Sequence, residues 1–267
     1  MAPSTKVISF SNPNDPTGSL MERRMLEDVA RIADVAGAYV LRDEVYRGAN
    51  QEGDEMTPFI ADLYARGIST GSVSKAFSLA GLRLGRIVGS HEVLEAAEIH
   101  RDYSTISVGM LDEHFATMAL EHAATILSRT RSIVRGNLAV LDRWVQGEPA
   151  VSFVRPRAGT TALLRYGFAM KSRDFCVRLL ETLGVLFTPG GALDMEGYVR
   201  IGYANAPAIV AAGLERASDV LRAIRRSRRR SLRRARRCAI PMLGGSAIRG
   251  AKVGPTPRSS ETSFVSD

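Results

Sequence analysis

The chain has 267 residues, of which 45% are hydrophobic and 24% charged, with two cysteines and a formal net charge of +8. This length suits one large domain or two modest ones. Two cysteines are too few for a disulfide framework or a zinc cluster, so we expect a reducing, cytoplasmic location and no metal site. No run reaches the roughly 18 apolar residues of a membrane span, and the first residues do not resemble a secretory signal, so neither is predicted.

The positive charge is concentrated near the C-terminus. Residues 222–237 hold ten arginines and no acid, and residues 238–267 add three bases and two acids. Of the 36 bases and 28 acids in the whole chain, 23 bases and 26 acids are therefore left for residues 1–221. A nucleic-acid function argued from the net charge would rest on this tail alone, which lacks interleaved aromatic residues and any recognisable binding module. We do not expect a nucleic-acid partner.

The first half of the chain alternates strand-like runs with helical periodicity. KVISF (6–10) is a short β-rich run, and SNPNDPTG (11–18) has the composition of a turn. Helical periodicity over 19–37 ends at Gly37 and places six apolar residues on one face: Leu20, Met25, Leu26, Val29, Ile32 and Ala33. Further strand candidates follow at 38–46, 67–75 and 82–89. Strand, helix, strand at this spacing predicts an α/β fold with a mostly parallel sheet.

The second half predicts more helix and then a smaller unit. Residues 91–145 are helical in pattern, with one long amphipathic stretch over 112–145, and residues 151–206 resemble a smaller α/β unit. A last helix covers 206–224, followed by a segment rich in Gly, Ser and Pro beyond the arginines. We therefore expect three parts: a large domain with its linking helix over 1–145, a small C-terminal domain over 146–224, and an Arg-rich, disordered tail over 225–267.

Polar residues follow the predicted strands at the points where these strands end. They are Asn12 to Asp15, Asp43, Tyr46, and Ser72 to Lys75. In parallel sheets, ligands bind at the carboxyl ends of the strands. The sequence therefore predicts that these residues share one site.

Four segments carry a family resemblance: NPNDPTG (12–18), DEVY (43–46), SVSKAFSLAGLRLG (72–85) and VRIGYA (199–204). In order and spacing they resemble the fold-type I pyridoxal 5'-phosphate (PLP) enzymes, in particular the class I/II aminotransferases, from about residue 6 to 224. The resemblance implies the PLP-transferase large domain, PLP as cofactor, amino-acid and 2-oxo-acid substrates, and a homodimer.

The resemblance also implies roles for the cofactor-facing residues. Lys75 would carry PLP as a Schiff base and shuttle a proton to and from the substrate, for which a partly desolvated amine is suited. Asp43 would keep the pyridine nitrogen protonated, and Tyr46 would hydrogen-bond the phenolic oxygen. From the residue types alone, a solvated lysine, a strand-end acid and a half-buried tyrosine remain alternatives.

Anion-binding roles fall to serine and arginine residues. Ser72 and Ser74 offer hydroxyl and backbone N–H groups for the phosphate, and Arg83 offers a planar fork for two of its oxygens. Arg200 would bind the substrate α-carboxylate in the same bidentate manner. The alternatives are a surface arginine at position 83 and a surface ion pair at position 200.

Two departures from the family pattern raise further expectations. Asp15 stands where the family usually has asparagine, so either Asp15 tunes the cofactor differently or the neighbouring Asn14 takes the role. Only eleven residues precede Asn12, whereas the family has a long segment there. We expect the front part of the large domain to be missing and the sheet to have an exposed edge.

The residues leave the reaction open. HRDYSTISVG (100–109) resembles a subgroup with capreomycidine-synthase-like enzymes, so elimination, cyclisation or decarboxylation of an amino acid is an alternative to transamination. An inactive, truncated remnant is a further alternative. The arginine run is either a basic arm for nucleic acid or anionic lipid, or a non-native extension.

Overall fold

The computed structural model describes residues 4–238, with side chains as far as Ser227. The chain divides into two units at Ala223, and every β-strand described belongs to the first of them. No helix among the described residues is long and apolar enough to cross a membrane. Cys176 is buried and free, and the cytoplasmic location stays a prediction.

A four-stranded sheet forms the first part of the fold, in the order β1-β2-β3-β4. β1 pairs with β2 and β2 with β3 in parallel, whereas β3 and β4 are antiparallel. The α/β class with a mostly parallel sheet is therefore confirmed. β1 and β4 lie at the two edges of the sheet. The strands are β1 (Val7–Ser11), β2 (Tyr39–Asp43), β3 (Gly67–Ser72) and β4 (Gly85–Val88).

Helix α1 (Arg23–Val35) covers this sheet and is shorter than predicted. It buries Leu26 and Ala33 against Val40 of β2 and Ile60 of the short helix α2 (Ile60–Leu63). Met25 and Ile32, predicted on the buried face, are half exposed. They are one position away from Leu26 and Ala33, which turns them about 100° around the helix from its buried stripe.

The predicted long helix over 112–145 is two helices that are separated at His122. α4 (Met110–Glu121) and α5 (Ala123–Gly147) meet there because His122 has a φ of -103° and a ψ of 24°, outside the helical range. A buried apolar cluster joins both helices to the segment that carries Lys75: Val73, Ala76, Phe77, Ala116, Ala119 and Leu127. The backbone at Lys75 is thereby fixed by the packing of its neighbours Val73, Ala76 and Phe77 against α4 and α5. α3 (His91–Arg101) precedes α4.

The second sheet is antiparallel and has the order β5-β6-β8-β7. It lies within residues 151–206, for which the sequence predicts a smaller α/β unit, and the division into a large and a small domain stays a prediction. Helix α6 (Ser172–Leu183) packs against its β7 end. The strands are β5 (Val151–Phe153), β6 (Thr161–Tyr166), β7 (Thr188–Pro189) and β8 (Tyr198–Gly202).

The last helix extends further than the sequence indicated. α7 (Pro207–Cys238) continues through the arginine run, so the prediction of disorder from residue 225 was wrong as far as Cys238. Arginine, alanine and leucine are good helix formers, and no glycine or proline interrupts the sequence between Gly213 and Pro241. Residues 239–267 lie outside the described residues, and the prediction of disorder there stays a prediction.

Candidate active site

A cavity of about 930 Å³ lies where the carboxyl ends of β1, β2 and β3 face strand β8 of the second sheet. Six of the eight predicted site residues line it: Asp15, Asp43, Tyr46, Ser74, Lys75 and Arg200. The register explains this convergence, because Ser11, Asp43 and Thr70 are neighbours across the three parallel strands. Sequence reasoning missed three threonines on the walls, Thr160, Thr161 and Thr188.

The turn that follows β1 carries Asp15 and is held by its own side chains. Asn12 exchanges two hydrogen bonds with the backbone of Met21, donating at 3.1 Å and accepting at 2.8 Å. The Asn14 carbonyl oxygen accepts from the Thr17 hydroxyl at 2.6 Å, and its amide donates to Ser11 Oγ. Asn14 therefore faces its own turn, and Asp15 is the one of the two that faces the cavity.

Gly18 connects this turn to the chain that leads into β6. Its carbonyl oxygen accepts hydrogen bonds from the backbone N–H groups of Arg157 (2.8 Å) and Ala158 (3.0 Å). Gly18 has a φ of +68° and packs directly on Pro156. This contact lies just before β6, whose first residue, Thr161, lines the cavity.

Asp15 and Arg200 form an ion pair across the cavity. Arg200 Nη1 lies 3.1 Å from both carboxylate oxygens of Asp15, and Nη2 donates to Thr188 Oγ1 at 3.2 Å. Both side chains are about one third exposed or less (31% for Arg200 and 27% for Asp15). The Thr161 hydroxyl, 3.4 Å from Oδ1, adds a further donor to Asp15.

Tyr46 supplies another hydrogen bond to the same carboxylate. Its hydroxyl donates to Asp15 Oδ2 at 3.1 Å, and the residue is 4% exposed. Burial first, and then the negative charge of Asp15, raise the pKa of Tyr46 to about 12. The tyrosine is therefore neutral at physiological pH and acts as a hydrogen-bond donor.

A buried ion pair beneath the cavity was not predicted. Arg42 and Glu44 alternate with Asp43 along β2 and its end, so they point into the core, 3.5 Å apart with no side-chain exposure. Burial raises the pKa of Glu44 and lowers that of Arg42, because each charge loses its water. Arg42 donates to the Asn12 carbonyl from Nε and Nη2, which fixes the turn that carries Asp15. The charged triplet Arg-Asp-Glu at a strand end was the available signal.

Lys75 projects from a buried segment but is itself exposed. Its neighbours Ala76 and Phe77 are buried and anchor the backbone, whereas Lys75 is an exposed residue that lines the cavity. The desolvation that the sequence analysis assumed for this lysine is therefore not provided by the described residues. In a lysine site this matters, because loss of water favours the neutral, nucleophilic amine.

The predicted phosphate ligands are only partly assembled. Ser74 lines the cavity, and its backbone N–H donates to Ser72 Oγ at 3.2 Å. Ser72 and Arg83 are not among the lining residues. Arg83 has a left-handed φ of 50° and donates to the Ala80 carbonyl at 2.8 Å, so its side chain folds back on its own turn.

The 100–109 segment lies elsewhere. His100, Arg101 and Ser104 line a second cavity of about 900 Å³ with Gly85 and Arg86 of β4. No residue of this segment lines the cavity that contains Lys75. Among the side chains described, no group of three or more His, Cys, Asp or Glu residues could hold a metal ion.

Comparison with known proteins decides the family. The family model described as "Aminotransferase class I and II" matches residues 2–221. The chain belongs to this family. The resemblance inferred from the four motifs is thereby confirmed, and this family is PLP-dependent.

Individual aminotransferase-family proteins match over most of the chain. It is 29% identical to capreomycidine synthase of Streptomyces vinaceus over 227 residues, 85% of this chain and 58% of that protein. It is 30% identical to an aspartate aminotransferase of Thermotoga maritima, over 81% of this chain and 56% of that protein. The structure of a PLP-dependent aminotransferase from Streptococcus suis 89-1591 superposes with a TM-score of 0.80 at 40% identity, covering 84% of this chain and 59% of that one. The chain thus spans somewhat more than half the length of these relatives.

The residues around the first cavity fit PLP chemically. An aminotransferase cofactor requires an amine, a carboxylate for its pyridine nitrogen, a donor for its phenolic oxygen and anion ligands. Lys75, Asp43, Tyr46 and Ser74 are side chains of these types, and all four line a cavity large enough for a small ligand. Asp15, the departure from the family pattern, is paired with Arg200 and does not stand as an uncompensated charge.

Proposed function

We propose that the chain belongs to a PLP-dependent aminotransferase that moves an amino group between an amino acid and a 2-oxo acid. The observation that carries this proposal is the convergence of Lys75, Asp43, Tyr46 and Arg200 on one cavity in a member of this family. The aspartate aminotransferase among its relatives supports the same reaction. Since the chain spans 56–59% of the length of these relatives, its own activity is the point to be tested.

Each residue has a defined task in this proposal. When bound, PLP supplies an electron sink for the negative charge that develops on the substrate α-carbon. Lys75 Nζ would hold the cofactor through its aldehyde carbon, and the freed amine would take up and return the proton at the substrate α-carbon. Asp43 would accept the pyridine N–H, and the neutral Tyr46 hydroxyl would donate to the phenolic oxygen.

The proposal needs two anion-binding groups, one for the cofactor phosphate and one for the substrate α-carboxylate. Ser72, Ser74 and Arg83 are the proposed phosphate ligands, and Arg83 reaches this position only by leaving the Ala80 carbonyl, to which it donates. Arg200 is the proposed ligand of the substrate α-carboxylate. Thr188 supports this role, because it accepts from Nη2 and so fixes the plane of the guanidinium.

A homodimer is part of the proposal. The segment from the end of α3 through α4 exposes several large apolar side chains, including Tyr103 (86% exposed), Met110 (84%) and Leu111 (72%). Several large apolar side chains exposed within one short segment favour a protein–protein interface.

The first experiment asks whether the chain binds PLP at Lys75. The purified chain is mixed with PLP, reduced with borohydride, digested and examined by mass spectrometry, with Lys75→Ala and Lys171→Ala as matched variants. Lys171 is exposed at the start of α6 and does not line the cavity. We expect a pyridoxyl group on Lys75 in the wild type and in Lys171→Ala. A folded chain with no modification of Lys75 contradicts the proposal and favours the inactive remnant.

The similarity to capreomycidine synthase supports a second reaction class on the same cofactor. Elimination, cyclisation or decarboxylation of an amino acid would use the same lysine. Product analysis separates the alternatives, since only transamination converts the amino acid supplied into its own 2-oxo acid and consumes a second oxo acid. Nucleic acid has no place in either reaction.

A further inference from the structure

The carboxylate site at Arg200 is already filled by a side chain of the protein. Asp15 places both oxygens 3.1 Å from Arg200 Nη1 and also accepts from the hydroxyl of Tyr46 at 3.1 Å. With the Thr161 hydroxyl, 3.4 Å from Oδ1, donors from three separate parts of the chain converge on one carboxylate. Such a set of donors is what a bound substrate carboxylate would require.

The Asp15 carboxylate is not needed to hold its own turn. Asn14 and Thr17 bond to each other within the turn, and Arg42 binds the Asn12 carbonyl from below. The backbone N–H of Asp15 donates to Ser11 Oγ at 3.3 Å. The main chain at position 15 is thus fixed by other groups, and its side chain is free to change partners.

We propose that Asp15 is an internal competitor for the substrate carboxylate and thereby a specificity-determining residue. A carboxylate reaches Arg200 only in exchange for Asp15. An amino acid brings an ammonium group as well, which can pair with the displaced Asp15, whereas a 2-oxo acid brings none. Asp15 therefore favours zwitterionic amino acids over their oxo acids.

This inference rests on the proposed role of Arg200 in carboxylate binding, but it is tested without PLP. Dissociation constants for pyruvate and L-alanine are measured by ligand-observed NMR with the full chain and with Asp15→Asn. We expect the substitution to tighten pyruvate binding about tenfold or more, since the competing charge is gone. L-Alanine should gain much less, because its ammonium loses a partner, so the preference for alanine over pyruvate falls.

Three variants make the result specific. Asp15→Ala removes the charge without introducing an amide and should act in the same direction, which guards against a folding defect peculiar to asparagine. Asp43→Asn removes one negative charge from the same cavity without touching Arg200, and its effect on pyruvate should be several times smaller. Arg200→Met combined with Asp15→Asn should abolish the gain.

The outcomes separate this inference from the proposed function. Equal or weaker pyruvate binding in Asp15→Asn and Asp15→Ala overturns it, as does a gain in Asp43→Asn of the same size. No detectable pyruvate binding in any variant overturns it too. A pyridoxyl group on Lys75 together with any of these results would leave the aminotransferase proposal standing. Tighter pyruvate binding in Asp15→Asn with no modification of Lys75 would support the role of Asp15 and contradict the aminotransferase proposal.

Discussion

Gly18 and Pro156 are in such close contact that a Cβ atom on Gly18 would lie 2.5 Å from Cβ of Pro156 and 2.8 Å from the Ala158 carbonyl oxygen. Only glycine, which has no Cβ, fits at position 18 without displacing these neighbours. Gly18 also has a φ of +68°, which L-residues with a side chain adopt only under strain.

Gly18→Ala should therefore lower the free energy of unfolding by about 1–2 kcal/mol from backbone strain alone, with a further loss from the collision. Gly53→Ala is the matched control, because Gly53 has a φ of +60° and no atom within 4 Å of the added Cβ. Denaturant unfolding of both variants isolates the collision. Equal losses would show that the loop moves away from Pro156 without cost.

Arg42→Met should destabilise the chain by roughly 3–5 kcal/mol, because it removes the nearer charge partner of the buried Glu44 carboxylate and leaves only Arg47, whose Nε is 3.9 Å away. The double variant with Glu44→Leu should recover much of this loss, since it removes both charges together. Arg23→Ala breaks an exposed ion pair with Glu27 and should change stability by less than about 0.5 kcal/mol. A double variant as unstable as Arg42→Met would mean that the contacts of Arg42 with Asn12 and Pro58 matter more than its charge pair.

Tyr46 should make the fold sensitive to alkali. Its folded pKa of about 12 lies above the ordinary value of 10.0, so the unfolded chain loses this proton first and stability falls as the pH rises between these values. The slope from this group is about 1.4 kcal/mol per pH unit. Tyr46→Phe should remove that part of the slope, whereas Tyr103→Phe, at an 86% exposed position, should not. Unfolding measured from pH 9 upward would detect the difference, and identical slopes would argue against a buried Tyr46 hydroxyl.

Glu196 should support the fold on the acidic side. Its carboxylate accepts from the Ser172 N–H at 2.6 Å, from the Ser172 hydroxyl at 2.9 Å and from the Tyr166 hydroxyl at 3.0 Å. These bonds, led by the Ser172 N–H, lower the pKa of Glu196. The stability that it contributes is therefore present above its unfolded pKa of 4.5 and is lost as the pH falls through its folded value.

Glu196→Gln should accordingly flatten the loss of thermal stability as the pH is lowered below that value, with Glu181→Gln on the outer face of α6 as the control. Thermal unfolding midpoints of the three chains, followed by circular dichroism, provide the measurement. Parallel pH profiles for Glu196→Gln and the wild type would contradict the assigned hydrogen bonds.

The sequence predicted which residues line the cavity better than it predicted the contacts between their side chains. Asp43, Ser74 and Lys75 could be placed together because parallel strands end at one edge of a sheet, and periodicity reveals strands. The pairing of Asp15 with Arg200 could not be predicted, since these residues are 185 positions apart, one in the turn after β1 and the other on β8 of the second sheet. A local sequence pattern cannot reveal a contact between residues so far apart in the chain.

Side-chain burial was the other limit. The alternation along β2 places Asp43 towards solvent and Arg42 in the core. From sequence alone, however, a run of charged residues at a strand end predicts that all of them are exposed. Arg83 illustrates the reverse case: its motif indicates a phosphate ligand, whereas a left-handed turn folds its guanidinium onto Ala80. The helix through residues 225–238 was not predicted, because the high density of like charges there indicated disorder, although arginine, alanine and leucine favour a helix.

The two edge strands of the first sheet have a practical consequence for work with this chain. Within the described residues, the outer backbone groups of β1 and β4 are paired with no further strand, and Val7 on β1 is half exposed. Such rims act as templates on which extended segments of other molecules add. Self-association should therefore rise steeply with protein concentration, and a short strand-forming peptide or a lysine introduced on either rim should keep the chain in solution.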